Sequence, residues 1–283
     1  MPARPWPTPH AYVDAATCGV ALGYVLDGAP YALARPPGVP DALLIARHAH
    51  TLGYTHVHLR GLPTEPLPLT LPAPVTWLPG PPADRAAHLA RLADALATIV
   101  HGQPLTPEQH HALQASHTPS ADGRTLIHVD GSFALTDDLT GIGYTLNGVP
   151  FAITAARAEH PNGAHAEREA IRVALMHAAT HPHATLHVQS DHVFHVRRYA
   201  EDLVHRGRRK SSSLERLDAL ADALRPRLHF MYAPTLDLHA PHRLAVHARA
   251  LATLARGAPL TRAQQVAVRR VHFALRSATP VPY

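Results

Sequence analysis

The sequence predicts an α/β fold in which a mixed sheet flanked by helices occurs twice in tandem. Two observations predict it. Alternating apolar stretches and stretches with helical apolar spacing follow one another as βββαβ, then helices, then β and α, an order that suits a sheet covered by helices. In addition, two pairs of passages answer each other. GYVLDGAPYALA (residues 23–34) lies over GYTLNGVPFAIT (143–154), and HLARLADALATIVHGQPLTPEQ (88–109) lies over RLAVHARALATLARGAPLTRAQ (243–264). Matches this ordered, at both ends of each half, point to duplication. The boundary is expected in ASHTPSADGR (115–124), whose Ser, Thr, Pro, Asp and Gly residues read as a linker, so that one domain covers 8–117 and the other 122–283.

The elements of the second half follow in order. LIHVDGSF (126–133) alternates as a strand, then stops at Asp130, Gly131 and Ser132. GIGYTLN and VPFAITAA form a hairpin that turns at Asn147-Gly148, a dipeptide suited to a two-residue turn. Helical spacing over Ala166–Ala179 comes next, then the strand TLHVQSD ending at Asp191. A helix over Val193–His205, a basic loop, a helix over Leu214–Leu224, the strand LHFMYAP and a helix from about Pro241 complete the unit. In each half, Thr and Gln three apart (Thr106/Gln109, Thr261/Gln264) form a capping box that starts one further, bracing helix. The first half keeps the order in shortened form. Prolines in LPTEPLPLTLPA forbid a regular helix where the second half has its helices and basic loop, so an irregular bypass is expected.

Composition narrows the class. With 283 residues, 46% of them hydrophobic, the chain can bury two ordinary cores. No apolar run reaches the ~20 residues of a membrane span, and the opening MPARPWPTPH has no signal-peptide pattern, so the expectation is a soluble, cytoplasmic protein without a membrane partner. The lone Cys18 excludes an internal disulfide and a cysteine-based zinc site. A formal charge of +5 favours a polyanionic partner. Lys210 is the single lysine among 26 basic residues and His, Arg, Pro and Ala are abundant, a compositional bias that discounts the 25 histidines as ligands.

Three carboxylates stand out: Asp130 near the end of the first strand, Glu167 in the first turn of a helix, and Asp191 at the tip of the fourth strand. If those strands are neighbours, the three converge at one sheet edge. Clustered anions raise each other's pKa unless cations neutralise them, and hard oxygen donors suit magnesium. Glu169 competes with Glu167, but two residues along a helix it points about 200° away.

The ordered set VDGSF, AEREAIRVAL, VQSD, HRGRRKSS, FMYAP and APHRLAVHA resembles the type 1 ribonuclease H family over about Ile127–Ala255. The resemblance implies a ribonuclease H-like mixed five-stranded sheet flanked by helices. It also implies endonucleolytic hydrolysis of the RNA strand of RNA/DNA hybrids by two metal ions, Mg²⁺ or Mn²⁺. It assigns Asp130, Glu167 and Asp191 as metal carboxylates, with Asp130 and Asp191 touching the ions most directly, and Gly131 and Ser132 letting the backbone approach a ligand. The chain departs from the family at two places. His242 stands where a fourth acid is usual, and HPNGAHAE offers Asn162 out of register where paired asparagines are usual. His239 and Asp237 read as loop residues.

Beside such a site Arg206, Arg208, Arg209 and Lys210 read as a phosphate grip that positions the duplex without reading sequence, with Ser132 as a further nucleic-acid contact. In the first half, Asp14 is paired with Asp130, Gly61 with Asp191 and Ala87 with His242, and the acid nearest to the place of Glu167 is Asp41. That half is expected to be a catalytically dead copy. Two other readings stay open: a non-catalytic nucleic-acid-binding protein on a doubled scaffold, and a related nuclease with another substrate.

Overall fold

The computed structural model describes residues 10–35, 38–64, 66–67, 71–134, 139–156, 162–201, 212–234 and 239–277. The first half runs β1 (His10–Cys18), β2 (Ala21–Leu26), β3 (Ala29–Ala34), α1 (Asp41–Leu52), β4 (His56–Arg60), β5 (Val75–Trp77), α2 (Asp84–Val100) and α3 (Pro107–Ala115). The second runs β6 (Arg124–Ser132), β7 (Leu139–Leu146), β8 (Val149–Ala156), α4 (Gly163–Ala178), β9 (Thr185–Ser190), α5 (Val193–Ala200), α6 (Ser212–Leu224), β10 (Leu228–Tyr232), α7 (His239–Ala255) and α8 (Arg262–Ser277). The helix expected over Val193–His205 ends at Ala200, and residues 202–205 lie outside the described residues. Between β4 and β5 no helix occurs among the described residues, as the prolines require.

Each half builds a five-stranded mixed sheet, in the orders β3-β2-β1-β4-β5 and β10-β9-β6-β7-β8. In both, the first strand pairs antiparallel with the second and parallel with the fourth. This is an α/β arrangement, a mixed five-stranded sheet flanked by helices, present twice. The hairpins turn alike: Asp27 and Gly28 have φ of 47° and 86°, Asn147 and Gly148 have 50° and 84°, the left-handed pair of a two-residue turn. The cores are alike as well. Tyr24 is hydrogen-bonded to His48 at 2.7 Å and stacks on Tyr31, while Tyr144 is hydrogen-bonded to His177 at 2.8 Å and stacks on Phe151. Both capping boxes form, and their glutamines reach one turn back along the chain's previous helix, Gln109 to Thr98 and Gln264 to Thr253.

Packing divides the chain differently from its linear order. The described residues up to Asp94, together with those from Ala250 on, form one unit, and Ala95–Arg249 form the other. Within the second unit, Arg172 of α4 donates to the carbonyls of Ile99 and Val100 at the end of α2, and His177 bonds Ser116 and the Leu113 carbonyl at the end of α3. Within the first, Arg47 of α1 donates to the carbonyls of Leu254 and Ala255, and Tyr31 bonds His272 of α8. The helices that follow two similar segments, α3 and α8, are thus taken up by different sheets.

Strand register corrects the pairing of the halves. Tyr24 faces Ala15 across its hairpin and Tyr144 faces Val129, so the counterpart of Asp130 is Ala16, and Asp14 answers to His128. The in-out burial along β1 and β6 agrees with this alignment. Likewise His56 pairs with His10 and Thr185 with Arg124, which makes Gly61 the counterpart of Ser190 and Leu62 the counterpart of Asp191. Ala87 does correspond to His242: a Cβ on Gly23 would meet Ala86 O and Ala90 N, and one on Gly143 would meet Pro241 O and Ala245 N. No described helix is long and apolar enough to cross a membrane.

Candidate active site

The second sheet builds the site from two adjacent parallel strands. The register of Leu126 with His187 and His128 with Gln189 brings the ends of β6 and β9, and with them Asp130 and Asp191, to the same edge. Two glycines then let helices close on that edge. A Cβ on Gly131 would lie 2.2 Å from the Ala166 carbonyl carbon and 2.5 Å from Glu167 N, so the N-terminal part of α4 sits directly on β6, with Glu167 just past the first turn rather than in it, because the helix already starts at Gly163. This is why the opening strand breaks into small residues after its aspartate. A Cβ on Gly143, directly across from Asp130, would lie 2.1 Å from Pro241 O, so α7 seats equally close and delivers His242.

The side chains form a linked set. Glu167 accepts from the Gly131 N–H at 3.0 Å and from the Ser190 hydroxyl at 2.5 Å. His242 Nδ1 lies 3.1 Å from Asp130 Oδ2. Asp130 and Glu167 are both buried. Burial pushes the Asp130 carboxyl above its ordinary range; the His242 contact opposes this and the nearby Asp191 adds to it. Burial pushes Glu167 up to about 8, against the Ser190 and Gly131 hydrogen bonds, with the charges of Asp130 and Asp191 adding to the rise. His242 is raised, chiefly by its hydrogen bond to Asp130. Such a set is short of positive charge, which is the condition that favours a cation.

The other expected residues are placed as follows. Glu169 turns away and pairs with Arg172 at 2.8 Å. Ser132 is buried and accepts from Arg249 at 3.0 Å. Arg249 was not expected at the site; its position seven residues after His242, two turns along the same side of α7, is the signal that points to it. Asn162 caps α4 by accepting from His165 N. Arg206, Arg208, Arg209, Lys210 and Asp237 lie outside the described residues. The helices flanking the basic segment are clamped by Arg198, which donates twice to Asp218, and by the Tyr199 hydroxyl on the same carboxylate.

Among its described residues the first unit holds no such set. Ala16 packs with Ala86, Ala90 and Ala87 where the second unit has Asp130 and His242. Asp14 is ion-paired with Arg60 at 2.5 Å, and Asp41 with Arg35 at 2.9 Å. Alignment of the buried pair His48 and His177 puts Gly38, ahead of α1, at the place of Glu167.

Among the described residues, no three His, Cys, Asp or Glu side chains are gathered closely enough to hold one metal ion between them. Magnesium does not need such a cage, since one or two carboxylates with retained waters and substrate phosphate suffice. The mutually repelling carboxylates of Asp130, Glu167 and Asp191, the first two buried and the third half-buried, fit that mode of binding in donor type and in charge.

No protein-family model matches the chain, and no curated protein is significantly similar to it. Solved structures are similar in fold. The RNase H1 of the halophilic archaeon Halobacterium salinarum shares 19% identity over 45% of this chain and 98% of its own, with a TM-score of 0.37. The compost-derived LC11-RNase H1, solved in complex with an RNA/DNA hybrid, shares 18% over 43% and 93%, with a TM-score of 0.36. The N-terminal RNase H domain of a Mycobacterium tuberculosis protein shares 20% over 47% and 97%, also with a TM-score of 0.36.

Proposed function

We propose that the second unit hydrolyses the RNA strand of RNA/DNA hybrids with the help of Mg²⁺ or Mn²⁺, and that the first unit is a duplicated copy without catalytic groups. The observation that carries this reading is the joint burial of Asp130 and Glu167 at one sheet edge, with Asp191 near enough to raise the pKa of both. Asp130, Asp191 and Glu167 would hold the ions. Bound there, the ions would make a nucleophile of water at neutral pH and stabilise the leaving oxygen at phosphorus.

The chain's own groups prepare that chemistry. Gly131 N–H and Ser190 fix both Glu167 oxygens, so its orientation is set before substrate arrives. His242 holds a proton against Asp130 Oδ2 and so lowers the cost of keeping that carboxylate charged. Arg249 fixes the Ser132 hydroxyl at the mouth of β6. Arg206, Arg208, Arg209 and Lys210 would grip phosphates along the duplex, and Arg198 with Asp218 ties together the two helices that flank that segment in the sequence.

The pairing of His242 with Asp130 favours a second reading, a hybrid-binding protein that does not cut, because an imidazolium competes with a cation for that carboxylate. One assay separates them: labelled RNA/DNA hybrid, double-stranded RNA and double-stranded DNA, each with Mg²⁺, Mn²⁺ or EDTA. Metal-dependent cleavage of the hybrid, abolished by Asp130→Asn and by Asp191→Asn with fold and hybrid binding retained, is the expected result. Near wild-type turnover in both variants would overturn the assignment, and tight binding with no cleavage by the wild type would establish the second reading.

A further inference from the structure

We propose that the solvent face of α8, in the first packing unit, is a second surface for the sugar-phosphate backbone of a nucleic-acid duplex. It shares with the proposed function only the class of partner. The helix carries Arg262, Arg269, Arg270 and Arg276 and no acidic residue. Gln264, Ala267, Val268, Val271 and His272 are buried, and all four arginines lie on the exposed side. Arg262, Arg269 and Arg276 recur every seven residues, so they rise along one stripe in steps of about 10 Å. Phe273 and Val266 lie between them and are 47% and 41% exposed.

Packing does not require this charge. In the second unit α3 does the same structural work: the same capping box, a glutamine on the preceding helix, and Ala112 and Leu113 buried where α8 buries Ala267 and Val268. The counterparts of Arg262, Val266, Arg269 and Arg270 on α3 are Pro107, His111, Gln114 and Ala115. One of two equivalent helices has therefore gained a basic, partly apolar outer face that its packing role leaves unexplained. Arg276 also interacts with Tyr54, as does Asp27, and Arg269 reaches the Thr51 carbonyl at 3.4 Å, which holds the base of the stripe against the unit.

A row of arginines presents planar donor forks suited to phosphate oxygens, and Phe273 offers an apolar contact to sugars between them. An anionic membrane surface fits less well. An interfacial helix inserts its apolar face, and that face of α8 is buried in its own unit, leaving Val266 and Phe273 as its exposed large apolar side chains.

The test uses the full chain and its Arg262→Ala/Arg269→Ala/Arg270→Ala variant, with melting curves to confirm that the variant is folded. Affinity for a labelled RNA/DNA hybrid and for a DNA duplex is measured by anisotropy over a salt series. The expected result is about a tenfold or greater loss of affinity and a log-log salt slope shallower by about two units or more, up to 0.9 per lost contact. Turnover of a saturating hybrid should be unchanged. An unchanged slope and affinity would overturn the proposal. So would a variant that loses binding to phosphatidylserine vesicles while keeping its duplex affinity. A wild type that does not cleave, combined with a variant that loses duplex affinity, would sink the proposed function and leave this surface standing; cleavage by the wild type with unchanged binding by the variant would do the reverse.

Discussion

Cutting the chain where the linker-like residues lie should yield a segment that does not fold, whereas cutting it where packing divides should yield one that does. A 122–283 fragment loses the end of α2 and all of α3. Ile99 and Leu113 are fully buried, and burial of an aliphatic side chain is worth about 1.5–3 kcal/mol. Arg172 would lose its two carbonyl acceptors while staying beside Glu169, and His177 would lose Ser116 and the Leu113 carbonyl. The Arg172 Nη atoms and His177 Nε2, wherever they stay shielded from water, then cost about 1–3 kcal/mol per side chain. Together these losses come to about 5–12 kcal/mol, against a typical domain stability of about 5–15 kcal/mol. A 95–249 fragment keeps all of these contacts, and it keeps Asp130, Ser132, Glu167, Asp191, His242 and Arg249. Urea denaturation of the two fragments, followed by circular dichroism, checks this. The 95–249 fragment should unfold cooperatively and 122–283 should show no cooperative transition. Cooperative unfolding of 122–283 with stability within about 1–2 kcal/mol of the other fragment, a margin comparable to one buried side chain, would refute the reasoning.

Two further perturbations test particular contacts. Gly131→Ala forces a Cβ into the backbone of Ala166 and Glu167; overpacking of this kind costs about 1–3 kcal/mol, and because it displaces Glu167, hybrid turnover should fall together with the urea midpoint. No change in either would mean that α4 is not seated as described. Burial lowers His117 and His272 from 6.5 to about 4, so between those values these two rings bind more protons in the unfolded chain than in the native one, and their contribution to stability falls as pH falls. The limit is about 3 kcal/mol per histidine. Ring-proton titration by NMR should place both histidines well below 6.5, and titration near 6.5 would show that these rings are protonated in the fold as readily as in the unfolded chain.

By itself the sequence determined what depends on local chemistry. Asn147-Gly148 set a hairpin because few other dipeptides accept two positive φ values, and Thr106/Gln109 and Thr261/Gln264 set helix starts because their side chains satisfy the first backbone donors. Apolar periodicity determined the element order, and that order placed Asp130, Glu167 and Asp191 at the ends of elements that the sheet then gathers. Two things were decided only by tertiary structure. The first is the register of β1. Asp14 and Ala16 are two residues apart, so both point to the same face of the strand, and no alternation of apolar residues can tell which one answers to Asp130; the cross-strand register of Tyr24 with Ala15 does. The second is which sheet each terminal helix covers. The segments ending in α3 and α8 carry nearly the same apolar pattern, and a pattern specifies only that a face be buried. The partner is set by contacts far apart in sequence, Arg172 on Ile99 and Val100 in one unit and Arg47 on Leu254 and Ala255 in the other.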